Sequence, residues 1–186
     1  MSLLFIKYFL TGFLSIFLNL SGADPSPSLA YPVPPVNENS LFYIQRSKNT
    51  NAIVYEVNRK PDGKINADDP VKIYWLRYAT DSTTADLTFI QRKYAYGIES
   101  KPYKNGQDAF VIQLVSYRKK NIFLLPTSGG KSYSAFININ GKVAELKRIF
   151  VATSGGTFWF PKVDYIELSG IDPVTRQKTI ERFVPN

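Results

Sequence analysis

Trp75 and Arg77 stand two residues apart in the run Tyr74-Trp75-Leu76-Arg77-Tyr78, so on an extended strand they share one face. An indole beside a guanidinium can stack on a sugar, or the planar fork can grip a carboxylate. A buried indole with an arginine snorkelling at the sheet edge accounts for the same pair without a ligand. A second candidate is an internal echo. Thr127-Ser128-Gly129-Gly130 recurs as Thr153-Ser154-Gly155-Gly156, each shortly after an Ile-Phe pair, Ile122-Phe123 and Ile149-Phe150. On up-and-down strands both loops fall at one end of the sheet, together with Lys104-Asn105-Gly106. There Ser128, Ser154 and Lys131 would join exposed backbone N–H groups in a polar cradle, walled by Phe158, Trp159 and Phe160. Two glycine-bearing loops arising from similar turn needs explain the echo more simply. Arg92 and Trp159 join Trp75 and Arg77 as ligand contacts if the fold brings them to one cavity.

Catalytic chemistry is poorly provided for. The chain has no histidine and no cysteine, which removes the commonest proton shuttle, thiol nucleophile and transition-metal ligands. Asp86, Glu99, Glu145, Asp164 and Glu167 could supply the two carboxylates of a glycoside hydrolase, but no spacing pairs them. A Lys131–Ser132 dyad fails because strand neighbours point to opposite faces. Gly130-Lys131-Ser132 resembles the end of a phosphate-binding loop, yet Leu125 stands where the earlier glycine is required. The stretch Asp62–Asp69 alternates oxygen-bearing side chains as calcium loops do. It has Lys64 at the third position, Ala67 where the turn glycine belongs, and no closing glutamate. No catalytic residue, metal site or cofactor is assigned.

The elements around these residues fall into three parts. Residues 1–23 read as an export signal: Lys7, an apolar run from Tyr8 to Leu20, and small residues Ser21-Gly22-Ala23 before cleavage. That run is shorter than the roughly 20 residues needed to cross a bilayer, so membrane attachment would arise only through an uncleaved signal. No cysteine follows to carry a lipid. Residues 24–40 form a proline-rich tether. Residues 41–186 form one β domain without disulfides, whose stability rests on apolar burial. The expected location is periplasmic or secreted.

From Leu41 onward, alternating aromatic and β-branched runs predict about ten short strands. Asn140-Gly141 between two of them signals a type I′ hairpin, and Arg118-Lys119-Lys120 reads as another tight corner. Leu87, Ile90, Tyr94 and Gly97 recur at helical spacing, so one helix is expected near residues 84–97, capped by Ser82, Thr83 or Thr84. The fold class is all-β, an antiparallel sandwich or barrel with that single helix.

The formal charge is +8, and 22 basic against 15 acidic residues remain beyond the signal. This balance favours an anionic glycan, a lipid or an envelope protein as partner. The basic residues are too dispersed for specific nucleic-acid reading. The segments Asp69–Tyr78, Gln91–Gly97 and Pro161–Leu168, in that order, resemble an uncharacterised family of exported bacterial domains of unknown function, of Bacteroidetes type, over roughly residues 41–186. The resemblance implies a single exported domain and carries no activity. The expectation is a non-catalytic exported β domain that binds an anionic or amphiphilic envelope ligand or partner. The alternative is a carboxylate-dependent hydrolase acting on envelope polysaccharide.

Overall fold

The computed structural model describes residues 31–78, 80, 82–104, 108–127, 130–156 and 161–185. The segment read above as an export signal, Ser128 and Trp159 lie outside these residues. The chain is mostly β. In order come β1 (Ser40–Arg46), β2 (Asn49–Val57), β3 (Val71–Arg77) and β4 (Thr83–Asp86). A helical segment follows, made of α1 (Phe89–Gln91) and a π-helical turn (Arg92–Tyr96). Then come β5 (Ile98–Pro102), β6 (Phe110–Leu114), β7 (Tyr117–Thr127), β8 (Ser132–Ile139), β9 (Lys142–Gly156), β10 (Pro161–Ile171) and β11 (Lys178–Phe183).

These strands build one curled half-barrel sheet in the order β4-β3-β2-β1-β9-β8-β7-β6-β5, with β10 joining β9 to β11. The sheet is mixed rather than wholly antiparallel, because β1 runs parallel to β9 over Tyr43–Arg46 and Arg148–Val151. The long β9 makes this possible. β10 lies along one of its edges for most of its length, while β8 pairs with Lys142–Glu145 and β1 with Arg148–Val151 on the other.

A bulge sits where β9 changes partners. Ser169 faces Arg148 and Gly170 faces Leu146, so Lys147 has no opposite number. Such an extra residue bends a strand and shifts the alternation of its side chains. Before it Ala144 and Leu146 point into the core; beyond it Ile149 does. Gly170 permits the close crossing: a Cβ there would lie 2.7 Å from the Glu145 carbonyl oxygen and 2.9 Å from Ile139 Cδ1.

The concave side holds the core. Phe42, Ile44, Ile53, Tyr55, Ile73 and Trp75 form one wall, and Ile112, Ile122, Leu124, Ile137, Ile139 and Leu146 the other. Phe42 and Tyr55 stack at 4.4 Å. On another side of the sheet, the end of the proline-rich segment is seated rather than free. Gln45 Nε2 donates to the Pro32 carbonyl at 2.6 Å, and Tyr31 packs edge-on against Phe150 at 5.1 Å.

The helix is shorter than its spacing suggested. Thr83–Asp86 pair with β3 as a strand, and the N-cap is Thr88. Its hydroxyl accepts from Gln91 N, while the Gln91 side chain accepts from Thr88 N in a capping box. Leu87 is buried ahead of the helix, whereas Ile90 is 45% exposed and Tyr94 64% exposed. The 3.6-residue pattern therefore runs across a strand-to-helix junction. Gly97 does end the segment. A second correction concerns the β6–β7 corner. It lies at Val115-Ser116, with Leu114 opposite Tyr117, and Arg118–Lys120 continue β7. Asn140 and Gly141 have φ of 51° and 80°, as a type I′ hairpin requires.

Candidate functional site

Tyr96 anchors the helical segment over the open end of the half-barrel. Its carbonyl accepts a 2.6 Å hydrogen bond from the fully buried Tyr55 hydroxyl. Its ring meets Trp75 edge-on at 5.4 Å, a favoured aromatic geometry. The Trp75 Nε1–H donates to Gln91 Oε1 at 3.2 Å, so the oxygen that closes the capping box also holds the indole. Gly97 must be glycine for this arrangement: a Cβ would lie 1.9 Å from the Arg92 carbonyl oxygen.

Between this segment, the ends of β1 and β3, and the β9–β10 ribbon lies a groove of about 560 Å³. Its walls are largely apolar and aromatic, including Trp75, Tyr96, Tyr117, Val151, Val163 and Ile166. Polar groups enter mainly from one side: Arg46, Asn49, Asn51, Arg77 and Asp86. The Arg46 guanidinium stands 5.6 Å from the Tyr96 ring centre. Neither Arg46 nor Arg77 has an ion-pair partner among the described residues. Two guanidiniums in the lining of an aromatic-walled groove suit an anion attached to an apolar body.

Of the residues singled out from sequence, Trp75 and Arg77 converge on the groove. Arg92 lies exposed on the π-helical turn and is not part of the lining. Lys131 is far away. Its carbonyl accepts from Arg59 Nη2 at 2.9 Å, at the opposite end of β2 from Asn49. A nine-residue strand at ~3.3 Å per residue puts roughly 30 Å between the two ends. Ser154 follows the groove residue Thr153 but turns its hydroxyl to Asp164 Oδ1 at 2.6 Å. Lys131 and Ser154 therefore stand apart, while Ser128 lies outside the described residues. Ser154–Gly156 instead extend β9 against Pro161 and Lys162.

Arg46 and Tyr96 are the contacts that sequence reading passed over. Arg46 continues the inward series Phe42, Ile44, so strand alternation carried the signal. Tyr96 gave none, because a π-helical turn changes the phase at which side chains face the core.

The other carboxylates have local duties. Glu99 pairs with Arg118, and Glu167 with Arg182 at 2.8 Å. Burial pushes the Glu145 carboxyl up, but hydrogen bonds from Lys147 and Ser134 and the charges of Lys147 and Arg176 outweigh it and hold it below its ordinary range. Glu181 behaves alike. Burial is opposed and overcome by Lys120 at 2.7 Å and by the Asn140 N–H at 2.9 Å. Asp86 also borders a smaller polar cleft of about 350 Å³ with Glu56, Lys72 and Tyr74. There burial, followed by the hydrogen bond to Glu56 and its charge, pushes the Tyr74 phenol up to about 12.

Fold and groove together define a small β half-barrel with an aromatic-walled, cation-bearing opening. Residues 42–182 match the family described as domain of unknown function (DUF4833), and the chain belongs to that family. No curated protein and no solved structure matches it.

Proposed function

We propose that this domain is a non-catalytic binding module, working in the periplasm or outside the cell, that takes an anionic or amphiphilic envelope ligand in the groove. The observation that carries this reading is the convergence of Trp75, Tyr96, Arg46 and Arg77 on one open cavity. Export is supported by the apolar run and small-residue site near the start of the chain. The hydrolase alternative has less behind it, because glycoside cleavage needs two facing carboxylates. Asp86 is the one carboxylate among the described groove residues.

The test is calorimetric titration of the full chain with anionic glycans, anionic phospholipids and their neutral counterparts. Anionic ligands should bind and neutral ones bind more weakly. A hydrogen bond to a charged group contributes about 1.5–3 kcal/mol, so Arg77→Ala should weaken anion binding at least about tenfold. Arg77 is exposed at the end of β3, so the melting temperature should stay nearly unchanged. If no member of the panel binds, or if Arg77→Ala binds as the wild type does, the reading fails.

A further inference from the structure

The groove shares part of its wall with another space. This inner cavity, of about 70 Å³, is walled by Ile44, Ile122, Ile137, Ile149, Leu168 and Phe183. Ala95, Tyr96, Ser116, Tyr117, Val151 and Ile166 line both spaces. The boundary between them thus includes the small side chains of Ala95 and Ser116. Protein interiors pack densely and leave few voids larger than a water molecule. A water needs two to four polar partners to settle in such a space, and this lining is mostly hydrocarbon. Lys120, one of its few polar members, has its ammonium turned to Glu181 at 2.7 Å. The inner cavity is therefore suited to an apolar group entering from the groove.

Resting on the binding role proposed for the groove, we propose that the ligand is a single-chain anionic amphiphile: one carboxylate, phosphate or sulfate group on a linear alkyl chain. The anion lies against Arg46 and Arg77, the proximal chain runs past Trp75 and Tyr96, and the chain end enters the inner cavity beside Ala95. Crossing the boundary at Ala95 and Ser116, such a ligand meets polar and apolar demands at its opposite ends. A bare anion leaves the inner cavity unfilled.

The experiment uses the full chain carrying Trp159→Phe, so that Trp75 is the sole indole. It is titrated with n-alkyl sulfates from butyl to dodecyl, kept below micelle formation, and with inorganic sulfate as the head-only probe. Each buried methylene contributes about 0.8 kcal/mol, so the dissociation constant should fall about fourfold per methylene and then level off once the inner cavity is full. Ala95→Phe, or Ser116→Leu if that variant does not fold, should move the levelling point to shorter chains by closing the passage. Affinity independent of chain length, with inorganic sulfate binding as well as dodecyl sulfate, overturns the amphiphile assignment while leaving anion binding intact. The same chain-length profile in a folded passage-blocked variant also overturns it. Failure of inorganic sulfate and every alkyl sulfate to bind defeats the groove reading itself.

Discussion

Tyr55→Phe isolates the contact that holds the groove's helical wall. Tyr55 is fully buried, and its hydroxyl is the donor to the Tyr96 carbonyl at 2.6 Å. Phenylalanine keeps the ring and its 4.4 Å stack on Phe42, so little volume is lost. What remains is a buried carbonyl stripped of this donor, which costs about 1–3 kcal/mol. For a domain of this size each kcal/mol lowers the melting temperature by about 2–4 °C, so a drop of about 2–12 °C is expected. Urea unfolding should show a lower midpoint with an unchanged slope, the mark of altered stability rather than altered compactness. The alkaline limb adds an independent check. Burial raises the Tyr55 phenol well above its ordinary value, followed by the smaller influence of Tyr96. A group whose folded pKa is raised contributes stability that is complete below the unfolded value, about 10, and is lost as the pH climbs above it. The variant should therefore lose less stability than the wild type above pH 10. Tyr74, with its phenol pushed up to about 12, continues to contribute in both proteins. A melting temperature within 1 °C of wild type, with the same alkaline slope, would refute the anchoring role of this bond.

Gly97→Ala should be more damaging, because the new Cβ and the Arg92 carbonyl oxygen, at 1.9 Å, cannot coexist. Opening of the π-helical turn should displace Tyr96 from Trp75 and shift the Trp75 emission; an unshifted spectrum together with unchanged stability would count against the geometry. In acid, Glu145 and Glu181 have folded pKa values held below the ordinary carboxylate range. Their contribution is present above about pH 4.3 and is lost as the pH falls through the lower folded values. Glu181→Gln should therefore flatten the acid limb of the stability profile measured by urea unfolding between pH 2 and 6, and an identical limb would refute this.

Much of the architecture was legible because strand alternation and turn chemistry are local. The runs around Ile53 and Tyr55, and Ile73 and Trp75, point inward as their period of two demands. Asn140-Gly141 makes the hairpin that its tolerance of positive φ implied. The helix lies within the expected stretch but starts later, at Phe89, because the pairing of Thr83–Asp86 with β3 depends on a neighbouring strand that no local period encodes. Likewise the parallel β1–β9 pairing joins residues about a hundred positions apart, and no local pattern encodes it.

The candidate site divides along the same line. Sequence by itself placed Trp75 and Arg77 on one face, since alternation is a property of the backbone alone. It also determined the absence of histidine and cysteine, the basic balance and the apolar run over Tyr8–Leu20. Only the tertiary structure decided that Arg46 and Tyr96 join that pair, and that Lys131 stands at the far end of β2. The reason is physical. The curl of the sheet, the bulge opposite Gly170 and the π-helical turn closed by Gly97 set which distant residues face one cavity, and each is a product of packing rather than of local preference.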